Sequence, residues 1–439
     1  MRDPDGQLEF TPGLVRRTIR AGAESAQFLL TALSRSLVQD GMLVDFAFQT
    51  EQIIESRRLP FVSYPSEWCD AQLCDAAKFT LALSQRILTH GLELKDASAA
   101  NVLFEGAAPI FCDHLSFVPI HTKQWWAMGQ FARHFIFPLV LARQAKWHAH
   151  QFHALSVDGL DPSNAASLLG LRRFRSGAWP LMIGAGSDAS RHAPAALQYN
   201  AVQQGKPSYH ATLYTYCGWC LPNQPKKLRS PWSGYTQNRP HYTPDTESKK
   251  RQLVQAWLAQ VTPTWVVDLG CNTGEYTHIA AQTGASVIAI DADHDSISQL
   301  YADLVQSKIK SVYPVIANLA DLNSEGGWLG QEKISLIERL AGRADLVLCL
   351  GLLHHLIATE GVAFNRVVNF LGNLTERTLV LELIAPEDPM AQLLMGQRNR
   401  TDAFPDMAQQ LDALRSAFQI EKRESLGPTR ELVLMQRSA

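Results

Sequence analysis

Two acidic residues and two glycines in the carboxyl half have the types and spacing needed to hold a small organic cofactor. Asp268 ends an apolar run, and Gly270 and Gly274 follow it in the segment VVDLGCNTGEY, residues 266–276. Glycine permits a positive φ and a close approach of backbone to ligand. Asp291 ends the next apolar run, where a carboxylate can accept hydrogen bonds from both hydroxyls of a ribose. These residues predict a site for an adenosine-containing cofactor.

The glycine spacing distinguishes between two cofactor classes. A dinucleotide-binding loop has the pattern G-x-G-x-x-G, which rests a pyrophosphate on a helix N-terminus. Here Asn272 stands where the second glycine would be. The segment from Asp268 to Gly274 instead resembles motif I of class I S-adenosylmethionine-dependent methyltransferases, whose loop wraps the amino-acid part of the cofactor. The resemblance implies S-adenosylmethionine as cofactor, bound by Asp268, Gly270, Asn272, Gly274 and Asp291, while an ordinary strand, turn and helix is the structural alternative.

Three further residues lie near this predicted cofactor site. Asp293 and Asp295 follow Asp291 closely, but they are typical of acids in the first turn of a helix, which the helix dipole favours. Asn318 follows the third strand, where the family places a polar residue near the adenine edge. A turn asparagine is the alternative interpretation of Asn318.

His354 and His355 are the candidate catalytic residues. Methyl transfer is an in-line displacement, so the protein must align the acceptor and receive its proton. The histidine pair follows the fourth strand, as it often does in the family, and a histidine with a pKa near neutrality can serve as general base. A packing role at a helix start is the alternative. Glu382 and Asp388 are weaker candidates, and no metal ligand is predicted.

The elements that must position these residues alternate between strand and helix. Such alternation predicts a doubly wound sheet with ligands outside the carboxyl ends of its strands. The predicted strands are 265–268, 286–290, 312–316, 345–351, 378–383, 418–422 and 431–435, the last two forming an antiparallel hairpin. The predicted helices are 249–260, 293–304, 328–341, 360–371 and 407–417.

Length and composition predict a globular protein of more than one domain. The chain has 439 residues, of which 46% are hydrophobic and 19% charged. We expect an α/β fold whose carboxyl part, residues 249–439, is a seven-stranded Rossmann-like methyltransferase domain. Residues 201–248 contain a stretch rich in proline and aromatic residues and are predicted to be a linker or a lid. Residues 1–200 are predicted to form a mainly helical, kinase-like domain that selects the acceptor or has a structural role.

Net charge and hydropathy limit the classes of partner that the chain is expected to have. A formal net charge of -2 gives no clear nucleic-acid patch, and the short basic runs at 226–229 and 249–251 are typical of solvated surfaces. The most apolar candidate for a membrane span, 131–141, is too short and contains Arg133 and His134. The acidic amino terminus is unlike a secretory signal, so a cytoplasmic location is expected. The methyl acceptor, small molecule or macromolecule, stays open.

Cys217 and Cys220 have the spacing of a redox pair or half a zinc site. A redox pair should follow a strand and open a helix, but Pro222 comes directly afterwards. A zinc site would need two more ligands at comparable spacing. The seven cysteines are therefore expected to be reduced structural thiols.

A second constellation lies in the amino half. Asp96 and Asn101, followed by Asp113 after an apolar strand, resemble the catalytic loop and the metal-binding aspartate of protein kinases. The pattern is incomplete, because residues 1–58 contain no glycine-rich phosphate loop and no recognisable strand lysine. A phosphotransferase centred on these residues is one alternative function, and a non-catalytic protein that binds S-adenosylmethionine is another.

Both halves together resemble one group of proteins. Bacterial class I methyltransferases of the host-specific nodulation type combine Y-P-x-E-W and K-D-A-S-x-x-N motifs with D-L-G-C-N-T-G. This chain has Tyr64 to Trp68, Lys95 to Asn101 and Asp268 to Gly274 in these places. The resemblance covers nearly the whole chain and implies a methyltransferase without specifying its acceptor.

Overall fold

The chain forms two compact units. A computed structural model describes residues 5–11, 13–121, 124–145, 147–184, 207–222, 230, 244–322, 325–330, 332–398 and 404–438. Unit 1 comprises residues 1–227 and 326–332, and unit 2 comprises residues 228–325 and 333–439. None of the helices in the described ranges is both long enough and apolar enough to cross a membrane.

Unit 1 begins with an antiparallel sheet of four strands in the order β1-β2-β4-β3. Its strands are β1 Gly6–Thr11, β2 Leu14–Ile19, β3 Phe46–Thr50 and β4 Ile53–Arg57. Two smaller ladders pair β5 Leu92–Leu94 with β8 Phe117–Pro119, and β6 Val102–Glu105 with β7 Ala108–Phe111. Helix still exceeds strand in the described part of residues 1–200, but the four-stranded sheet was not predicted. No residue of β1 is buried, so the strand lacks the apolar run that would have revealed it.

The helices of unit 1 follow and separate these strands. They are α1 Ser25–Leu29, α2 Ala32–Gln39, α3 Asp70–Leu88, α4 Met128–Phe131, α5 Phe137–Gln144, α6 Ala149–Leu155, α7 Pro162–Leu169, α8 Trp179–Gly184 and α9 Pro207–Cys220. A π-helical turn, Ala132–Ile136, joins α4 to α5. Short 3₁₀ helices lie at Pro65–Glu67, Ala99–Asn101, Gly170–Arg175 and Trp328–Gly330.

Part of the segment 201–248, which the sequence predicts as linker, is helical. Helix α9 lies inside it, and the next helix begins at Pro244. Buried residues of α9 recur at helical spacing, namely His210, Tyr214 and Cys217. That spacing is the ordinary pattern of a helix packed on a core, so residues 207–220 form a helix rather than a linker. The aromatic residues that suggested a lid, Trp232, Tyr235 and Tyr242, lie outside the described residues.

Unit 2 contains the predicted sheet of seven strands, in the order β11-β10-β9-β12-β13-β15-β14. The strands are β9 Trp265–Leu269, β10 Ser286–Asp291, β11 Val312–Ile316, β12 Ala344–Cys349, β13 Thr375–Ile384, β14 Phe418–Ser425 and β15 Arg430–Arg437. The first five are parallel, and β15 is antiparallel to both β13 and β14. Val266, Val267 and Leu269 in the central strand are fully buried, as expected when helices cover both faces of a parallel sheet.

Most helices of unit 2 agree with prediction, but the helix at 389–398 was not predicted and one predicted helix is largely absent. They are α10 Pro244–Val261, α11 Glu275–Gln282, α12 His294–Ser307, α13 Leu336–Leu340, α14 Phe364–Leu374, α15 Pro389–Arg398 and α16 Met407–Arg415. The predicted helix 328–341 is wrong over most of its length, because only α13 and one 3₁₀ turn form there. Gly327 and Gly330 both have positive φ angles, 81° and 75°, which a continuous α-helix does not permit.

The two edge strands of the sheet differ from the central ones. Pro314 lies in the middle of β11 and pairs in register with Ala289 of β10. At the other edge, the register of β14 shifts between Ile420 and Lys422, where the ladder has a bulge. The chain through this bulge is charged, EKRE at residues 421–424.

Candidate active site

The glycine loop between β9 and α11 has the left-handed backbone that its sequence predicts. Gly270, Asn272 and Gly274 have φ angles of 70°, 49° and 89°. A Cβ atom on Gly274 would lie 2.5 Å from Leu300 Cδ1, and one on Gly270 would lie 3.2 Å from Leu352 Cδ1. Both glycines are therefore required by conformation and by space, and asparagine at 272 is among the few other residues that tolerate this conformation.

Asp268 is a buried support of this loop. Its side chain is at the carboxyl end of β9, only 2% of its surface is exposed, and it accepts a hydrogen bond from Thr277 Oγ1 at 2.6 Å. Burial raises the pKa of Asp268 to about 6, against hydrogen bonds from the Thr277 side chain and backbone that lower it. The carboxylate thus ties the strand end to the first turn of α11, where the helix dipole favours an anion.

Asp291 faces the glycine loop from the end of β10. Its Oδ2 accepts a hydrogen bond from the Asn272 backbone N–H at 2.8 Å, and its Oδ1 accepts one from the Asp293 N–H at 2.8 Å. A carboxylate has about four acceptor positions, so each oxygen retains capacity for a further donor. Burial raises the pKa of Asp291 to about 6. This arrangement suits a pair of ribose hydroxyls.

The two neighbouring acids have the helix-start roles predicted for them. Asp293 is the N-cap of α12, and its Oδ1 accepts from the Ser296 N–H at 2.8 Å. Asp295 is in the first turn, and its Oδ2 accepts from the Ser230 N–H at 2.8 Å. Asp291 is thus the acid of the three that accepts a hydrogen bond from the glycine loop.

The backbone donors of the loop are largely used within the protein. The N–H groups of Gly270 and Cys271 both donate to Ile290 O, at 2.9 and 3.0 Å, and that of Gly274 donates to Cys271 O at 2.9 Å. The Asn272 N–H is bound to Asp291. A pyrophosphate site needs such N–H groups to point at the ligand. The loop therefore suits an adenosyl group without phosphates better than a dinucleotide.

Asn318 has the geometry of a turn residue. Its Oδ1 accepts a hydrogen bond from the Ala320 N–H at 3.0 Å, and its carbonyl accepts one from the Asp321 N–H at 3.0 Å. The residue is exposed. These contacts account for an asparagine here without an adenine, and an adenine contact of Asn318 stays a prediction.

The histidine pair follows β12 at the same edge of the sheet. His354 is fully buried, whereas His355 is half-buried, and their ring centroids are 4.2 Å apart. His355 is the first residue of the π-helical turn His355–Thr359, a form often found at functional sites. Of the two rings, that of His355 is the one with a solvent-accessible surface.

Glu382 and Asp388, the weaker candidates for a general base, belong to a buried ionic cluster. Glu382 binds Lys250 Nζ at 2.7 Å and Arg430 Nη1 at 3.1 Å, and Asp388 binds Arg430 Nε at 2.7 Å. All four side chains are 5% exposed or less. The Arg430 guanidinium, together with several backbone and side-chain hydrogen bonds, holds the pKa of Asp388 below its ordinary value although burial acts in the opposite direction. Both acids are therefore ion-paired, and neither is placed as a proton acceptor.

The sequence did not reveal this ionic cluster. Lys250 comes from α10, Glu382 from β13 and Arg430 from β15. The Lys250 ammonium also lies 5.1 Å from the ring centroid of Tyr276 in α11. Basic and acidic residues so far apart in sequence give no pairing signal, and Lys250 looked like part of an ordinary basic surface run.

The kinase-like constellation of unit 1 is held by internal contacts. Asp113 forms an ion pair with Arg17 Nη1 at 3.0 Å, with side chains 13% and 9% exposed. Asp96 Oδ1 accepts from the Ser98 N–H at 2.9 Å, and the Asn101 carbonyl accepts from the Cys112 N–H at 2.9 Å. Asp113 is thus already neutralised by a cation, which is unfavourable for a magnesium ligand. These contacts match the structural interpretation, in which the residues cap turns and join a network.

The two amino-half motifs that mark the family also have structural contacts. In the first, the Tyr64 N–H donates to Glu67 Oε2 at 2.9 Å, and Trp68 Nε1 donates to Ser63 Oγ at 2.9 Å. In the second, Lys95 Nζ binds Asp5 at 2.6 Å. Glu67 and Trp68 have no exposed surface. The motifs therefore account for a buried turn and a strand connection.

Cys217 and Cys220 are free thiols at the end of α9, with 0% and 6% of their surfaces exposed. Burial raises the pKa of Cys217 to about 12 and also raises that of Cys220. A thiol must ionise to act as nucleophile or metal ligand. The pair therefore fits the prediction of reduced structural cysteines.

Comparison with known proteins gives one relative along nearly the whole chain. The chain is 29% identical over 425 residues to the nodulation protein NoeA of Rhizobium meliloti (strain 1021), covering 92% of this chain and 88% of NoeA. No protein-family model matches the chain.

Two solved structures of methyltransferases share part of the fold only weakly. The bifunctional kinase-methyltransferase WbdD matches with a TM-score of 0.32 and 18% identity, over 44% of this chain and 39% of WbdD. The magnesium protoporphyrin IX methyltransferase ChlM of Synechocystis PCC 6803, with bound SAH, has a TM-score of 0.34 and 20% identity, over 44% of this chain and 84% of ChlM. The chain is thus similar to NoeA along nearly its whole length, and the sheet order of unit 2 and its glycine loop with Asp291 agree with the class I methyltransferase fold that the sequence predicts.

Proposed function

We propose that unit 2 transfers a methyl group from S-adenosylmethionine, held by the loop Gly270–Gly274 and by Asp291, to an acceptor whose proton passes to His355. The observation that carries the proposal is the carboxylate of Asp291. It is fixed by the loop and by Asp293 through backbone N–H groups, and each oxygen keeps room for one ribose hydroxyl.

Each residue has a definite part in the proposed site. Asp268 and Thr277 support the loop, while Gly270 and Gly274 leave the space that a Cβ would fill. Asn272 completes the turn with its backbone N–H on Asp291. Asn318 is proposed at the adenine edge, where its Nδ2 is the side-chain donor not used in the turn.

The chemistry requires an aligned acceptor and a place for its proton. S-adenosylmethionine supplies an electrophilic methyl group on a sulfonium. Bound in the loop, it would let the acceptor atom bond to that carbon as the carbon–sulfur bond breaks, with a neutral thioether as the leaving group. His355 takes the acceptor proton on a ring nitrogen, and the buried ring of His354 positions it through their contact at 4.2 Å. Residues 1–200 are proposed to select or hold the acceptor, in a chain expected to be cytoplasmic.

Calorimetry with S-adenosylmethionine and with ATP-magnesium tests the proposal. We expect the full chain to bind the former, and Asp291→Asn to weaken binding by about 100-fold, since two hydrogen bonds to a charged acceptor are lost at about 1.5 kcal/mol each. The matched control is Asp303→Ala, at an exposed acid of the neighbouring helix α12. Binding of ATP-magnesium alone would instead support phosphate transfer.

A labelled-methyl transfer assay on fractionated cell extract tests the second half of the proposal. Label should appear in one fraction, and His355→Ala should lower kcat while leaving the cofactor Kd unchanged. His354→Ala should lower kcat less, because a water can replace part of its contact. Tight cofactor binding without transfer to any fraction would identify a cofactor-binding protein rather than an enzyme.

A further inference from the structure

A short helix of unit 1 places an apolar row beside a basic row. Residues Gly170–Arg175, GLRRFR, form a 3₁₀ helix. In this kind of helix side chains at i and i+3 eclipse each other. Leu171 therefore lies in line with Phe174, and Arg172 lies in line with Arg175. The third row is Gly170 and Arg173.

Both outer rows are exposed. Leu171 and Phe174 are 83% and 56% exposed, and Leu168 in the preceding turn is 43% exposed. Arg172 and Arg175 are exposed as well. Single apolar residues on a surface need no explanation, but adjacent large ones often mark an interaction site.

Two arginines, one from the third row and one from the basic row, connect this helix to its surroundings in unit 1. The Arg173 guanidinium lies 5.0 Å from the ring centroid of Phe174 and 4.8 Å from that of Trp179. Arg172 Nη1 donates to Gln144 O, the end of α5, at 3.0 Å, and leaves its other N–H groups available. Trp147, three residues beyond Gln144, is 43% exposed. The rows are thus presented on a fixed support.

The segment that carries these rows, from the start of α7 to the end of α8, has basic residues and no acidic ones. Residues 162–184 contain three arginines and no aspartate or glutamate. A partner that complements both rows carries negative charge next to an apolar surface. The surface of a bilayer with anionic lipids has both, because phosphate headgroups lie directly above acyl chains.

We propose that the surface formed by Leu168, Leu171, Arg172, Phe174 and Arg175 docks on an anionic membrane. Leu171 and Phe174 enter the boundary between headgroups and acyl chains, and Arg172 and Arg175 bind lipid phosphates. The contact is peripheral. It is independent of the methyl transfer proposed for unit 2.

Sedimentation of the full chain with lipid vesicles tests this proposal. We expect binding to vesicles of phosphatidylcholine mixed with phosphatidylglycerol, little binding to phosphatidylcholine alone, and release by salt. Arg172→Gln with Arg175→Gln should lower the partition coefficient by about 30-fold, and Leu171→Ser with Phe174→Ser by about tenfold or more.

Matched controls separate this surface from general charge and apolar exposure. Leu155→Ser removes a leucine that is also 83% exposed, and Arg35→Gln removes an exposed arginine on α2. Both controls should bind vesicles as the unaltered chain does, and circular dichroism should show that every variant is folded at the assay temperature. The proposal is overturned if the unaltered chain fails to bind phosphatidylglycerol vesicles. It is also overturned if the double variants of the two rows bind these vesicles as well as the unaltered chain does. It is also overturned if light scattering shows a dimer that the Leu171 and Phe174 changes dissociate, with no vesicle binding.

Discussion

Lys249 and Lys250 are adjacent on α10 and both form ion pairs, yet their replacement by methionine should have very different effects. Lys250 pairs with Glu382 at 2.7 Å with side chains 5% and 0% exposed, whereas Lys249 pairs with Glu424 at 3.6 Å with side chains 49% and 45% exposed. Lysine and methionine have nearly equal helix propensity. The two variants therefore differ mainly in the burial of the ion pair that is lost.

The magnitudes follow from burial. Breaking a buried pair by removing one partner costs about 3–5 kcal/mol. Glu382 retains Arg430 at 3.1 Å, so we expect the lower end, about 3 kcal/mol, for Lys250→Met. An exposed pair contributes about 0–1 kcal/mol. A domain of this size loses about 2–4 °C of Tm per kcal/mol. Lys250→Met should thus lower the Tm of unit 2 by about 6–12 °C, and Lys249→Met by about 4 °C or less.

Differential scanning calorimetry of the full chain measures both effects. A double-mutant cycle with Glu382→Gln should show that the two changes cost less together than the sum of their separate costs, because the second removes the charge that the first leaves unpaired. Equal midpoints for Lys249→Met and Lys250→Met would refute the reasoning, as would strict additivity in the cycle.

Three other predictions concern the cofactor site. Burial raises the pKa of Asp291 to about 6, and the ribose hydroxyls donate to its ionised form. Cofactor affinity should therefore be constant above pH 6 and fall about tenfold per pH unit below it. Calorimetric titration at several pH values should show this slope for the unaltered chain and none for Asp291→Asn. In the cofactor-free protein the sign is reversed, because Asp268 and Asp291 have pKa values raised from 3.8 to about 6, so the free energy of unfolding should decrease as pH rises from about 4 to about 6 in denaturant titrations. Gly274→Ala should destabilise the protein by about 2 kcal/mol and weaken cofactor binding. The control Gly284→Ala has a similar φ of 91° but no atom within 4 Å of its Cβ, so it should cost only about 1 kcal/mol and leave affinity unchanged. Equal losses of affinity would show that contact with Leu300 is not the cause.

The parallel sheet was predictable because its strands are buried on both faces. Runs such as 312–316 are continuously apolar, and the strand there has the predicted bounds. The glycine loop was predictable for a related reason, since Gly270 and Gly274 occupy positions with positive φ that few other residues tolerate. In these places a local pattern determines the structure.

Features that depend on distant contacts were not predictable. The strand β1 pairs with β2 yet buries no residue, and its two apolar residues, Leu8 and Phe10, alternate too briefly to mark a strand. The cluster of Lys250, Glu382 and Arg430 joins three elements through contacts over 132 and 48 residues of sequence. Asp113 resembles the metal-binding aspartate of kinases in its sequence context, and nothing local indicated that Arg17, 96 residues away, pairs with it.

The edge strands of unit 2 limit how the sheet could associate with other chains. An unpaired edge offers a row of N–H and C=O groups on which a foreign strand can assemble. Pro314 removes one of these donors from the middle of β11, and the charged, bulged run in β14 disturbs the other edge. Neither edge strand offers an uninterrupted row of hydrogen-bonding groups to a strand of another chain. Strand exchange between chains and fibril growth are therefore disfavoured in unit 2.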